Sequence, residues 1–374
     1  MTPAIAADRR YLARALELAA RARGLTSPNP LVGAVVVREG EVMGEGYHHR
    51  AGEDHAEVEA LHAAGERARG ATLYVTLEPC VHRGRTPPCV PSILAAGICR
   101  VVISIRDPNP KVAGRGIEAL RKAGCEVTLG VMEEEARALN RQFFTYMLEH
   151  RPFVTLKAAM TLDGKIAAWD RSSRWITGEM SRREAHRMRA ESDGVVVGIG
   201  TVLQDDPELS VRLSEPWPRE PYRVVVDSSC RTPVEAKLLS SGAPDRTLIA
   251  TTGAAPDERV AALEARGARV VRLPSRDGRV DLQALAAHLA DREMTALLLE
   301  GGSELSAAFL EDGLVDRVAL FFAPMIVGGA HAPTAVGGHG RSLKEAFRLR
   351  EITSRPIGDD ILIEGELERG MGNV

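Results

Sequence analysis

The segment from His55 to Cys89 reads HAEVEALHAAGERARGATLYVTLEPCVHRGRTPPC. It begins with His55-Ala56-Glu57, passes through an apolar run into Glu78-Pro79-Cys80, and ends on Pro87-Pro88-Cys89. One imidazole and two thiols make a ligand set for zinc, and three protein ligands leave the fourth tetrahedral position to water. Zinc lowers the pKa of such a water from about 15.7 to about 7. Glu57 is expected to stay off the metal and to carry protons between water and substrate, which needs a carboxylate within a few ångströms of it. The apolar run 71–77 predicts a strand delivering Cys80. His55 falls at the start of a helix continuing through Val58, Leu61 and His62, and Cys89 opens another over 90–97, closed by glycine. Ligands in the first turn of a helix face unsatisfied N–H groups and the positive end of the dipole.

A lone histidine or cysteine is most often structural. Here His-x-Glu and Pro-Cys occur in the order used by zinc deaminases of nucleobases. The spacing departs from their usual pattern: eight residues, Val81 to Pro88, separate the thiols where two are common. This insert reads either as a solvated loop or as a small anion pocket made by His82, Arg85 and Thr86 beside a Gly84 hinge.

Outward from this segment the chain alternates between strand and helix. Asp8 is expected to cap a helix in which Tyr11, Leu12, Ala15, Leu16 and Ala19 share a face. Asn29 reads as a turn residue, 31–37 as a strand buried on both faces, and 41–47 as its return. Beyond Cys89 come a strand over 100–105, a turn over 107–110, a helix over 116–124, a strand over 125–131 and one long helix over 133–149. Cys99 and Cys125 read as core. The alternation predicts a mainly parallel sheet with helices on both faces. A boundary at Glu149-His150-Arg151-Pro152, before the fresh strand 153–160, divides the chain into domains 1–150 and 151–374.

The second half lacks a complete dinucleotide fingerprint, since Gly198-Ile199-Gly200 is followed by Leu203. A strand over 295–300 instead enters Gly301-Gly302-Ser303-Glu304 and a helix through Leu305, Phe309 and Leu310. This turn reads equally as an anion site at a helix N-terminus or as a tight turn. Lys157 and Glu300, each in an apolar strand, call for partners.

The 374 residues are 44% hydrophobic and 26% charged, ample for two or three cores. A net charge of −3 gives no electrostatic reason to bind nucleic acid or an anionic membrane. Five cysteines at irregular spacing, with no apolar signal core at the N-terminus, are expected of a cytoplasmic, reduced protein.

Taken together, Asn29-Pro30-Leu31-Val32-Gly33, Gly46-Tyr47-His48, His55-Ala56-Glu57, Thr76-Leu77-Glu78-Pro79-Cys80, Gly84-Arg85-Thr86-Pro87-Pro88-Cys89 and Asp107-Pro108-Asn109-Pro110 closely resemble the bifunctional deaminase/reductase family of bacterial riboflavin biosynthesis. The resemblance covers nearly the whole chain, and the family's spacing between thiols matches the one seen here. It implies an α/β protein in which a cytidine-deaminase-like three-layer α/β/α domain precedes a dihydrofolate-reductase-like α/β domain. It implies zinc on His55, Cys80 and Cys89, with Glu57 catalytic, and NADPH in the second domain. Cofactor contacts would fall at Ala159, Trp175, Thr201, Asp205, Ser228 and the run Gly302, Ser303, Glu304, Leu305, Ser306, Ala307 and Ala308. Substrate contacts would fall at Asn29, His82, Arg85 and Thr86 in the first domain. In the second they would fall at Ser173, Arg189, Leu209, Arg212 and Glu300, with Lys157 beside them.

The substrate implied is a small phosphoribosylaminopyrimidine, and a homo-oligomer, dimer or tetramer, is expected. Two other readings share parts of the pattern. A deaminase of free nucleosides or of tRNA would keep His55-Ala56-Glu57, but the acidic pI, the long insert and the reductase-like half count against it. A non-catalytic nucleotide-binding protein would have no need of a full ligand set together with Glu57.

Overall fold

The computed structural model describes residues 3–240 and 243–368, in two compact units, Met1–His150 and Arg151–Val374. The first unit runs α1 (Pro3–Ala20), β1 (Gly33–Arg38), β2 (Glu41–Tyr47), α2 (Ala56–Ala64), β3 (Thr72–Leu77) and α3 (Cys89–Ala95). It continues with β4 (Arg100–Ile105), α4 (Arg115–Lys122), β5 (Glu126–Leu129), α5 (Glu133–Leu139) and α6 (Arg141–Glu149). The strands lie in the order β2-β1-β3-β4-β5. β1 is antiparallel to both of its neighbours, while β3, β4 and β5 are parallel. Strand alternation sends Val35, Val37, Tyr74 and Val102 toward Leu12 and Ala15 of α1. Ala34, Val36, Leu73 and Val101 go to the opposite core, with Ala60 of α2, Ile93 of α3 and Leu120 of α4.

Helix α2 is drawn close to β2 by two glycines. A Cβ at Gly46 would lie 2.5 Å from the Ala60 nitrogen, and one at Gly44 would lie 2.3 Å from the Ala60 oxygen. Only a bare backbone lets the helix carrying Glu57 sit this near the sheet.

Three expectations are corrected here. Cys99 is not core but exposed before β4, its thiol donating to the Gly70 carbonyl at 3.1 Å. Asp8 does not cap α1, which starts earlier, at Pro3. It lies inside the helix, 4% exposed, and accepts from both terminal nitrogens of Arg100 at 2.8 Å and from the Tyr74 hydroxyl at 3.1 Å. A carboxylate on the buried face is tolerated because it is paired and hydrogen-bonded. The single helix over 133–149 is two helices, broken at Asn140. The buried Asn140 amide accepts from the Leu31 N–H at 2.8 Å and donates to the Leu31 carbonyl at 2.9 Å. That satisfies the Leu31 backbone outside the ladder, so β1 begins at Gly33 and not at Leu31.

The second unit runs β6 (Phe153–Thr161), α7 (Glu179–Ala190), β7 (Gly194–Gly198), α8 (Ile199–Asp205), β8 (Tyr222–Val226), α9 (Lys237–Ser240) and β9 (Thr247–Thr251). Next come α10 (Asp257–Ala265), β10 (Arg269–Arg272), the short hairpin of β11 (Ser275–Arg276) and β12 (Arg279–Val280), and α11 (Leu282–Asp291). Last are β13 (Ala296–Leu299), α12 (Ser303–Glu311), β14 (Arg317–Ala323), β15 (Leu349–Ile357) and β16 (Asp360–Leu367). Nine strands form one sheet, in the order β10-β9-β8-β7-β13-β6-β14-β16-β15. It is parallel from β10 to β14 and antiparallel beyond. Val196, Val224 and Leu297 face α11 and α12, while Val195, Val225 and Ile249 face α9 and α10. Among the described residues no helix is long and apolar enough to cross a membrane.

Candidate active sites

In the first unit His55 is the residue before α2, and Cys89 is the first residue of α3, preceded by an extended Pro88. Cys80 follows β3. The ligand atoms of His55, Cys80 and Cys89 lie within 4.8 Å of one another. Nδ1 of His55 is the nitrogen that faces the sulfurs, 3.1 Å from Cys89 Sγ and 3.6 Å from Cys80 Sγ. The Cys89 N–H points at Cys80 Sγ, 3.3 Å away. A hydrogen bond from the Cys89 side chain pulls the Cys80 thiol down to about 4, helped by His55. Cys89 is pushed up by the same pairing and by burial. Two thiols, one of them eased toward ionisation, and an imidazole nitrogen converging on them form a donor set that fits zinc.

Glu57 is 4% exposed on the first turn of α2. Burial pushes its carboxyl above the ordinary range, against the pull of His55. Such a group is poised to hold a proton as well as to take one.

Asn29 is set in place by His48, a residue that the sequence reading quoted without giving it a task. His48 Nδ1 lies 2.9 Å from the Asp54 carbonyl, so it carries the proton, and Nε2, 3.0 Å from Asn29 Nδ2, accepts. Burial lowers the His48 pKa and keeps the ring neutral. The Asn29 amide is thereby oriented, with its oxygen left for a ligand. Glu78, also given no task, is buried and accepts four backbone N–H groups: Asp107 at 3.3 Å, Gly114 and Gly116 at 2.9 Å, and Ile117 at 3.2 Å. It ties the loop after β4 and the start of α4 to the end of β3, two residues before Cys80. In the insert, Arg85 is exposed, Nδ1 of His82 is buried with no hydrogen-bond partner, and the Thr86 hydroxyl lies 3.0 Å from His55 Nε2.

The second unit holds a cleft of about 870 Å³ outside the carboxyl ends of β6, β7 and β13, where parallel α/β sheets bind ligands. Lys157, Ala159, Ser173, Trp175, Arg189, Thr201, Asp205, Leu209, Arg212 and Glu300 all line it. Arg189 meets Glu300 twice, Nε to Oε1 at 2.6 Å and Nη2 to Oε2 at 3.0 Å, and donates to the Ser210 carbonyl at 3.1 Å. Lys157 Nζ stands 3.6 Å from Glu300 Oε2, so the partners that each residue called for are each other. Burial would raise the Glu300 carboxyl, but Arg189 and Lys157 together hold it below the ordinary range. Arg212 is an exposed rim residue paired with Glu208 at 2.9 Å. Arg174, Arg182, Arg183 and Lys237 also line the cleft and were not singled out from the sequence.

Ser228 and the run 302–308 are not among the residues lining this cleft. The Ser228 hydroxyl accepts from the Val280 N–H at 3.1 Å. The Ser303 hydroxyl donates to the Thr334 carbonyl, and Ser306 and Ala307 are buried. What the run offers a ligand is the N-terminus of α12, at Gly302.

The RibD C-terminal domain family matches residues 152–363, and the cytidine and deoxycytidylate deaminase zinc-binding region matches residues 5–105. The riboflavin biosynthesis protein RibD of Aquifex aeolicus is 45% identical over 358 residues, 95% of this chain and 97% of its own. The chain belongs to the RibD family. RibD of Escherichia coli is 41% identical over 95% of this chain and 98% of its own. The structure of RibD from Acinetobacter baumannii superposes with a TM-score of 0.89 at 36% identity, covering 98% of this chain and 100% of that one. A deaminase/reductase from Thermotoga maritima gives 0.84 at 36% identity, covering 97% and 99%. As a RibD protein the chain is a bifunctional deaminase and reductase of riboflavin biosynthesis, with a zinc-binding deaminase domain and an NADPH-dependent reductase domain.

Proposed function

We propose that residues 1–150 deaminate 2,5-diamino-6-(5-phosphoribosylamino)pyrimidin-4-one and that residues 151–374 then reduce the ribosyl side chain of the product to ribityl. The observation carrying this reading is the convergence of His55 Nδ1, Cys80 and Cys89 beside the buried Glu57. The Thermotoga maritima relative is described as acting on the same pair of compounds. Zinc on these three residues would supply the Lewis acidity that makes water a nucleophile at neutral pH. Glu57 takes one proton from the attacking water and passes it to the ring nitrogen, then carries the second, from the newly added hydroxyl, to the amine, which leaves as ammonia. Asn29, oriented by His48, reads the ring, and His82, Arg85 and Thr86 receive the phosphate.

In the second unit NADPH, when bound, supplies the hydride. Ala159, Trp175, Thr201 and Asp205 hold it from the cleft, with the start of α12 at Gly302 toward its phosphates. Ser173, Leu209 and Arg212 place the sugar phosphate, and Lys157, Arg189 and Glu300 form a salt-bridged floor, with one positive charge in excess, beneath the reacting end. The protein works in the cytoplasm, as its five free cysteines suit, without nucleic acid. It assembles as a dimer or tetramer, in keeping with the sheet-edge strand β15 and its exposed Ile352. Incubation with the diaminopyrimidine, with and without NADPH, followed by mass spectrometry tests the sequence of steps. The deaminated compound should accumulate without NADPH and the ribityl compound should appear with it. Reduction without prior deamination would overturn the order.

A further inference from the structure

The insert between Cys80 and Cys89 does more than lengthen a loop. The Thr86 side chain reaches the imidazole of His55: its Oγ1 lies 3.0 Å from His55 Nε2, on the side of the ring away from the sulfurs. Nδ1 faces Cys89 at 3.1 Å and Cys80 at 3.6 Å, so with zinc held among the three residues Nδ1 would present its lone pair and Nε2 would carry the proton. A threonine hydroxyl can accept that N–H and still donate its own O–H elsewhere. The backbone around it is constrained. The Gly84 N–H donates to the Thr86 carbonyl at 3.2 Å, and Pro87 and Pro88 lead directly into Cys89 at the start of α3. The same short segment therefore delivers a ligand sulfur to one nitrogen of His55 and an acceptor to the other.

We propose that Thr86 is a positioning residue for the zinc ligand His55, its hydroxyl accepting the Nε2 proton and so fixing the ring in the Nδ1-ligating tautomer. The inference rests on His55, Cys80 and Cys89 holding zinc. Hydroxyl and carboxylate partners of this kind keep a ligating imidazole from turning and raise its basicity, and their loss typically costs about 10–100-fold in metal affinity.

The test is zinc affinity by competition against a chromophoric chelator in the full-length chain, comparing wild type with Thr86→Val and Thr86→Ser. Thr86→Val keeps the branched shape without the hydroxyl and should weaken zinc binding about 10–100-fold. Thr86→Ser should return it to the wild-type value. Unchanged affinity in Thr86→Val, with only a raised KM for deamination, would show that Thr86 serves the substrate alone and would overturn the inference. Equal loss in both variants would overturn it too, because the packing of the loop would then matter and not the hydroxyl. A wild-type chain that binds no zinc removes the ligand assignment itself, a failure distinct from these two. Should Thr86→Val not fold, the ¹⁵N spectrum of the zinc-loaded wild type decides: His55 with a protonated Nε2 is expected, and a protonated Nδ1 sinks the idea.

Discussion

The site in the first unit and the cleft in the second differ in how their chemistry is distributed. In the first, three ligand atoms and one carboxylate sit at two helix starts and one strand end, each at a fixed offset along the chain. In the second, a salt-bridged trio of Lys157, Arg189 and Glu300 comes from β6, α7 and the residue after β13, and the remaining cations stand at the rim. The former needs every member, since a tetrahedral metal site with one ligand gone is a different site. The latter, as the proposed site for a flexible sugar, would work through many weak contacts, so it should lose function in steps. The contrast predicts all-or-none behaviour in one half of the chain and graded behaviour in the other.

The largest effect should come from Cys80→Ala. Metal content and deamination should both vanish, while reduction of supplied deaminated substrate continues at the wild-type rate. Parallel loss of both activities would mean that zinc supports the folding of the whole chain and that the two halves are not independent. Next comes Glu57→Gln, which keeps the shape and the three ligands but removes the proton carrier. General acid–base catalysis is worth about 10²–10⁴-fold, so deamination should fall by that much with zinc still bound. Turnover near normal would take Glu57 out of the mechanism.

The same contrast explains what was legible in the sequence. His55, Glu57, Cys80 and Cys89 could be read as a site because local rules place them: helix starts, a strand end and a proline pair. The trio in the second unit could not, because Arg189 and Glu300 stand 111 positions apart and only the sheet order brings β13 between β6 and β7. Lys157 and Glu300 were recognisable as needing partners, but not as partners of each other. Asn140 was hidden for a similar reason. Its helical neighbours promised one continuous helix, and the reason for the break, Leu31, lies 109 positions away. Asp8 looked like a cap because a carboxylate near a helix start usually is one, and its actual partner, Arg100, is two strands along. The family resemblance placed Arg189 and Arg212 in one class, and their surroundings now separate them.

Arg189→Ala should act chiefly on stability. It leaves the buried Glu300 charge with Lys157 alone, and breaking a buried pair costs about 3–5 kcal/mol. Chemical denaturation should show that loss in the second unit, and the triple variant Lys157→Met, Arg189→Met and Glu300→Leu, which leaves no buried charge unpaired, should recover most of it without recovering reduction. Because Glu300 is held below its ordinary value of 4.5, the pair stabilises the folded state above that pH and loses its contribution as the pH falls toward the depressed value. A stability curve for Arg189→Ala identical to that of the wild type would mean that Lys157 alone satisfies Glu300.

Arg212→Ala should give the smallest effect and the cleanest one. Its guanidinium is exposed at the rim and its pairing with Glu208 joins two solvent-facing groups, an arrangement worth at most about 1 kcal/mol to stability. Removing it therefore leaves the fold alone. Its donors match phosphate oxygens, and a hydrogen bond to a charged group contributes roughly 1.5–3 kcal/mol. At an exposed position the lower end applies, so the reductase KM for the phosphorylated substrate should rise about tenfold with kcat little changed, the pattern of uniform binding. Deamination should not move, because the phosphate pocket proposed for that substrate, His82, Arg85 and Thr86, belongs to the other unit. The dephosphorylated substrate makes the argument sharper: if Arg212 holds phosphate, wild type and Arg212→Ala should bind that compound equally poorly. A variant that reduces the phosphorylated substrate with normal KM would place the phosphate with the other rim cations, Arg182, Arg183 or Lys237.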